Sequence, residues 1–554
     1  MNEKPAPRTG GRLLVDALVA QGVDHVTCVP GESYLAVLDA LVDSDIDVIT
    51  CRQEGGAAIM AEAHGKLSGR PGICFVTRGP GATNASHGVH IAMQDSTPMI
   101  LFVGQIETGM REREAFQELD YRAVFGPITK WTTEIDHAAR IPELVTRAFR
   151  VAMQGRPGPV VIALPEDMLV EVAEVVDGPR VEPAAVTPAK ADIDEMAKLL
   201  AGARAPIAIL GGSGWTQEAV DQFASFAEAW KLPVCTSFRR ADRFRWDHPC
   251  YAGDLGIGPN PKLGARVKEA DVLLLIGGRM SEMPSSSYTM LDIPVPKQKL
   301  VHVHPGAEEL GRVYVPTIAI QATPRAFAAA LSGVTPASAP GWSNGTPTAH
   351  QDYLDFSGTA RKLPGEFQYG EVVRWLNENL PSDTILCNGA GNFAGWMHRH
   401  WRFGELGTQL APTSGSMGYG VPAAIMAKRV RPQSTAICIA GDGDFLMNGQ
   451  EFATAVQHDI PAIIIVIDNG MYGTIRMHQV RDYPGRVSAT RLKNPDFAAY
   501  AKAFGGHGET VRSTEEFFPA FERAKASGKP AILHCFLDPR ALSVGKDMPA
   551  GEPI

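Results

Sequence analysis

Short, continuous apolar runs recur along the whole chain, and most close on a turn rich in glycine or proline. The run at 26–29 enters Pro30-Gly31-Glu32-Ser33, and the run at 73–77 enters Arg78-Gly79-Pro80-Gly81. Those at 99–103, 207–210 and 272–276 enter Gly104-Gln105, Gly211-Gly212-Ser213-Gly214 and Gly277-Gly278-Arg279. The runs at 436–440 and 460–467 enter Gly441-Asp442-Gly443 and Asp468-Asn469-Gly470. Between them lie segments of helical length, such as 13–21, 34–42 and the Ala/Gly-rich stretch from Glu54. Strands apolar on both faces belong to parallel sheets covered by helices. The pattern therefore predicts an α/β protein of three doubly wound parallel-sheet domains.

Linker composition divides the chain. Proline and charge thicken at 178–188, and the segment SGVTPASAPGWSNGTPT (332–348) is low in apolar residues. The expected division is 1–180, 190–331, a linker at 332–364, and 365–554, which fits about three domains in 554 residues. A net charge of −9 without a basic stripe argues against nucleic acid as a partner. No run reaches the ~18 apolar residues of a membrane span, and the N-terminus lacks a signal-peptide core. The eight cysteines are scattered, with no Cys-x-x-Cys. Buried reduced thiols and a cytoplasmic location are expected.

The first and third units repeat one another in order. Ala57-Ala58-Ile59-Met60-Ala61 recurs at 423–427, Gly79-Pro80-Gly81 aligns with Gly441-Asp442-Gly443, and the segment from Ala92 to Gln105 parallels 455–469, with Gln94 and Pro98 matching Gln457 and Pro461. Three ordered matches favour an internal duplication. The first copy has Pro80 where the third has Asp442, so only the third is equipped for a cation.

Within that third copy, Asn448 followed three residues later by Glu451 suggests a capping box and a helix over 448–458. A right-handed strand–helix–strand crossover then places Asp442 and Asn469 side by side at the carboxyl ends of two strands, where open α/β sheets bind ligands. A carboxylate and an amide oxygen beside glycine-freed N–H groups suit a hard cation carrying a phosphorylated ligand.

Gly441-Asp442-Gly443, 24 intervening residues and Asp468-Asn469 resemble the thiamine diphosphate signature of the acetolactate synthase and pyruvate decarboxylase family, and the likeness extends over nearly the whole chain. The resemblance implies pyrimidine-binding, central and diphosphate-binding domains in that order. It implies Mg²⁺ held by Asp442, Asn469 and the Met471 carbonyl, with Gly441, Gly443, Asp444, Tyr472 and Gly473 around the diphosphate and Asn392 on a second loop. Gly415 and Met417 would hold the pyrimidine, with Pro30 and Asn84 on the facing domain. Glu54 would be the acid that activates the aminopyrimidine, its pKa raised by an apolar, Gly/Ala-lined pocket.

On the substrate side, Phe116, Gln117, Lys130 and Gln105 resemble acetolactate synthase residues of the catalytic pocket, and the resemblance implies that Phe116, Gln105 and Lys130 line the pocket of the dimer partner. Glu32 and Ser33 occupy a position where synthases carry a small residue and decarboxylases an aspartate. Thr474 and His478 stand where branched-chain synthases have Met and Trp, and this segment resembles the benzaldehyde lyases. For the central domain the resemblance raises FAD, although no Gly-x-Gly-x-x-Gly is present. His302 and His304, alternating along a strand, suit packing better than metal binding. The expected activity is decarboxylation of a 2-oxo acid with carboligation to a second carbonyl, on small 2-oxo acids and aldehydes, in a homodimer or homotetramer. The alternatives are a 2-oxo acid decarboxylase or 2-hydroxy ketone lyase and, from another class, a non-catalytic cofactor-binding regulatory protein.

Overall fold

The computed structural model describes residues 6–553. Three six-stranded parallel sheets form its frame. The first contains β1 (His25–Cys28), β2 (Asp47–Thr50), β3 (Gly72–Val76), β4 (Met99–Gln105), β5 (Trp131–Glu134) and β6 (Pro159–Pro165), in spatial order β2-β1-β3-β4-β6-β5. The second contains β7 (Ile207–Leu210), β8 (Val234–Ser237), β9 (Tyr251–Leu255), β10 (Val272–Ile276), β11 (Lys299–His304) and β12 (Ile318–Gln321). Its order, β9-β8-β7-β10-β11-β12, is that of a dinucleotide-type doubly wound sheet. The third contains β13 (Ile385–Asn388), β14 (Gln409–Leu410), β15 (Ala436–Gly441), β16 (Ile463–Asp468), β17 (His507–Val511) and β18 (Ala531–Phe536). Its order, β14-β13-β15-β16-β18-β17, repeats the first sheet strand for strand, as the internal duplication requires. The central strands β3, β4, β6, β10 and β15 are buried at every position, which explains their uninterrupted apolar runs.

The chain divides into two compact units. One comprises 1–184 with 421–432 and 448–461; the other comprises 185–420, 433–447 and 462–554. The helices that matter for the site are α1 (Glu54–Ser68) and α2 (Gly79–Asp95), α3 (Gly345–Gly358), α4 (Gly420–Val430), α5 (Asp442–Asn448), α6 (Phe452–Gln457) and α7 (Gly473–Asp482). In the first unit α1 and α2 pack closely because small residues let their backbones meet: a Cβ on Gly88 would lie 2.5 Å from that of Ala58. Parts of the C-terminal third complete this unit. From the α4 segment, Arg429 bonds Asp47 at 2.9 Å; from the α6 segment, the His458 ring accepts the Thr50 N–H at 3.1 Å.

Two local expectations fail. The segment 332–364 is not plain linker, because α3 lies in it and packs Ala349 and Tyr353 inward. Nor is Gly441-Asp442-Gly443 a turn before a helix at 448: α5 begins at Asp442, directly after β15, and a 3₁₀ turn at Gly449–Glu451 leads into α6. Asn448 makes no side-chain cap, and Glu451 accepts the backbone N–H groups of Arg52 and Gln53 instead of those of its own helix. A capping box is a local pattern, and here a distant pair of N–H groups takes the carboxylate.

All eight cysteines are buried, and none forms a disulfide among the described residues. His302 and His304 are buried, each bonded to a nearby backbone group. No described helix is long and apolar enough to cross a membrane.

Candidate active site

In the larger unit, β15 pairs with β16 in a register that sets Gly441 opposite Ile467. Asp442 and Asp468 therefore leave the sheet side by side, and Asn469 follows at the same carboxyl edge. A cavity of about 240 Å³ opens there. Its wall brings together Asn392, Gly415, Met417, Gly441, Asp442, Gly443, Asp444, Asn469, Met471, Tyr472, Gly473 and Thr474, with Phe393, Trp396 and Leu542 as apolar neighbours. Two glycines have steric reasons to be there. A Cβ on Gly443 would lie 2.5 Å from the Tyr472 ring, and Gly415 has a left-handed φ of 70°.

The acidic groups are held by residues the sequence did not flag. The Asn494 amide donates to Asp442 Oδ2 and to Asp468 Oδ1, both at 2.8 Å, so one NH₂ group separates two carboxylates. His534 Nδ1 accepts the Phe497 N–H, which leaves Nε2 protonated to donate to Asp468 Oδ2 at 2.9 Å. Burial pushes the Asp442 carboxyl above its usual range, opposed by Asn494 and reinforced by the Asp468 charge. Burial works on Asp468 too, but the bonds from His534, the Gly470 N–H and Asn494 hold it below the ordinary range. Asp444 Oδ1 accepts the N–H groups of Gly418, at 2.8 Å, and Ala390, at 3.1 Å, tying the loops after β14 and β13 to α5; burial raises its pKa to about 7. Arg239, buried, clamps the same loops from beyond β8 by donating to the carbonyls of Pro412 and Gly389.

This donor set fits a hard divalent cation with a diphosphate. Asp442 and Asn469 line the cavity with oxygen-bearing side chains, Asn469 Oδ1 accepting the Met471 N–H at 3.2 Å, and the buried oxygens Asp444 Oδ2 and Asn494 Oδ1 have no hydrogen-bond partner among the described residues. Thr474 donates to Asn392 Oδ1 at 3.0 Å and so joins the second loop to α7. His478 does not join the group; it is exposed on α7, outside the cavity wall.

In the other unit, parallel strands sort the remaining candidates by sheet edge. Pro30, Glu32 and Ser33 follow β1, Glu54 follows β2, Asn84 lies on α2 after β3, and Gln105 ends β4; all belong to the carboxyl edge. Glu54 is half-buried, the Asn84 amide donates to its Oε2 at 2.9 Å, and a Cβ on Gly81 would lie 3.3 Å from its Oε1. Lys130 is at the opposite edge, just before β5, and its ammonium donates to the Gln154 carbonyl. A seven-residue strand such as β6 spans about 20 Å, so Lys130 does not share a pocket with Glu54 in this unit. Ser33 is fully buried and bonded to Thr77 at 3.0 Å. Gln105 is consumed by its bonds to Leu119 O and Ile106 N, both 3.0 Å. Gln117 adopts φ 65° and accepts the Gly79 N–H at 3.1 Å through its carbonyl. Glu32 is exposed, 3.6 Å from Arg78, and Phe116 is 72 % exposed.

In the central sheet, the glycine turns press backbone on backbone. A Cβ on Gly212 would lie 1.8 Å from the Gly277 carbonyl. That close approach accounts for these glycines without a flavin phosphate.

Family models match in chain order: thiamine pyrophosphate enzyme N-terminal TPP-binding domain at 8–124, central domain at 193–331 and C-terminal TPP-binding domain at 389–535. The chain belongs to the thiamine pyrophosphate enzymes and is a thiamine diphosphate-dependent enzyme. Within that family it is similar to acetolactate synthase large subunits. It is 33% identical over 549 residues to a probable acetolactate synthase large subunit of Methanocaldococcus jannaschii, covering 96% of this chain and 92% of that one. It is 30% identical to the acetolactate synthase large subunit of Corynebacterium glutamicum, over 96% and 87%, and 29% identical to the acetolactate synthase isozyme 2 large subunit of Escherichia coli, over 96% and 95%.

Proposed function

We propose that the enzyme decarboxylates a 2-oxo acid of the pyruvate type and joins the remaining fragment to a second carbonyl compound, as an acetolactate synthase does. The observation that carries this reading is the cavity at the ends of β15 and β16, where Asp442, Asn469 and a glycine-rich wall meet, in a chain similar to acetolactate synthase large subunits over nearly its full length.

Bound thiamine diphosphate supplies an electron sink for the loss of CO₂. Asp442, Asn469 and the Met471 carbonyl would hold Mg²⁺, and the N–H groups of Gly443 and Asp444 at the start of α5 would face the diphosphate. Gly415 and Met417 would orient the pyrimidine. Glu54, steadied by Asn84, would hold the proton exchanged with the aminopyrimidine. Glu54 and the metal ligands belong to different compact units, and two copies of the chain would share them, each copy supplying Glu54 to its partner's cavity. Phe116, exposed beside the carboxyl edge, would then line the partner's pocket.

The test is product analysis with pyruvate as sole substrate. Acetolactate is expected; acetaldehyde alone would replace the reading with a decarboxylase, and no turnover over a panel of 2-oxo acids would replace it with a binding protein. Glu54→Gln is expected to lose at least ~100-fold in kcat, within the range for general acid–base catalysis. Full turnover by that variant would remove Glu54 from the mechanism.

A further inference from the structure

Glu451 is 0 % exposed, yet its carboxylate does not cap the helix it precedes. A buried carboxylate is costly unless its oxygens are bonded. Glu451 meets that cost on the far side of the sequence. Its Oε1 accepts the N–H of Gln53 at 2.9 Å and of Arg52 at 3.1 Å; its Oε2 lies 3.2 Å from the Arg52 N and accepts the Thr454 hydroxyl at 2.6 Å. Arg52 and Gln53 form the turn that delivers Glu54 to the head of α1. Gln53 continues the arrangement, its Oε1 accepting from Gly55 at 2.6 Å and Gly56 at 3.1 Å. Gly56 is part of the same joint, since a Cβ there would lie 2.6 Å from the Glu451 side chain. Two neighbouring bonds keep the segments in register: Arg52 donates to the Gln457 side chain at 2.6 Å and Thr50 to His458 at 3.1 Å.

We infer that Glu451 is a positioning residue for Glu54, fixing the backbone from which the activating carboxylate projects. Four N–H groups around Glu54 are thereby bonded, two by Glu451 and two by Gln53, while the Glu54 carboxylate is held by Asn84. Removing Glu451 leaves two N–H groups of the turn unsatisfied, and the turn relaxes without any change at the metal ligands.

This inference rests on the reading of Glu54 given above, and the experiment separates the two. Glu451→Ala, Glu451→Gln, Glu54→Gln and the double variant Glu54→Gln/Glu451→Ala are compared. In the cofactor-free protein, amide hydrogen exchange over 51–56 is expected to speed up at least 10-fold in Glu451→Ala and less in Glu451→Gln, which keeps one acceptor, while β3 and β4 stay protected. In the holoenzyme, kcat for pyruvate is expected to fall at least 10-fold with KM within about 2-fold, Glu451→Gln again intermediate. The double variant is expected to be no slower than Glu54→Gln alone, because the two residues act through one group. Unchanged exchange at 51–56 in Glu451→Ala, or losses that multiply in the double variant, overturns the inference. If Glu451→Ala does not fold, Glu451→Gln and its double variant carry the same comparisons. A fully active Glu54→Gln overturns the reading of Glu54, while the exchange data still decide whether Glu451 holds the turn.

Discussion

At the scale of single residues, the site depends on an amide between two carboxylates. Asp442 and Asp468 emerge from adjacent strands, and without Asn494 they would face each other with nothing between them. Like charges this close disfavour one another's ionised form, so Asp442 would be a poorer cation ligand. Asn494→Ala is expected to weaken Mg²⁺-dependent thiamine diphosphate binding by about 10-fold (~1.4 kcal/mol), measured by calorimetric titration. Unchanged affinity would show that Asp442 is oriented by the backbone alone. Asp442 and Asn469 were legible because their spacing and glycine context are local. Asn494 and His534 were not: Asn494 lies 52 residues from Asp442 and 26 from Asp468, His534 lies 66 from Asp468, and only the tertiary fold brings them there.

At the scale of elements, two parts of the larger unit make separable predictions. Arg239 ties the loops after β13 and β14 together, so Arg239→Ala is expected to lower cofactor affinity at least 10-fold while far-UV circular dichroism stays unchanged; wild-type affinity would show that Asp444 alone fixes those loops. His304, at the end of β11, is 3 % exposed, and burial, aided by neighbouring His302, lowers its pKa to about 4. Unfolded, it would titrate near 6.5. Between those values the unfolded chain binds a proton that the folded one excludes, so stability is lost as pH falls from about 6.5 to 4. The full gap corresponds to about 3 kcal/mol. His304→Gln is expected to reduce the fall in melting temperature between pH 7 and pH 4.5; an unchanged fall would place the acid sensitivity elsewhere. At this scale the sequence mistook α5 for a turn. Glycine and aspartate weaken helix propensity, but the helix N-terminus is where these residues are tolerated and where a diphosphate would bind.

At the scale of the whole molecule, the repeat is the organising fact. Sheets one and three share a strand order, but their edges have diverged: one carries Glu54, the other Asp442 and Asn469. If two copies of the chain share these halves, the protein is a dimer or a dimer of dimers. Light scattering is expected to give an even-numbered oligomer, and mixing Glu54→Gln with Asp442→Ala chains is expected to restore some of the activity each lacks alone. A stable monomer with full activity would sink the shared-site arrangement.

Read alone, the sequence determined the class of fold, the duplication and two residues, Asp442 and Asn469, that meet at one cavity. Each is written in short windows: apolar runs ending in glycine turns, ordered block matches, and an aspartate and asparagine at a fixed spacing. Tertiary structure decided what those windows cannot contain. Strand direction put Lys130 at the far edge of its sheet from Glu54. Packing bonded the buried Ser33 to Thr77 and Gln105 to Leu119 and Ile106. Glu451, apparently a local cap, bonds a turn about 400 residues away, because a buried carboxylate takes the N–H groups that packing brings to it.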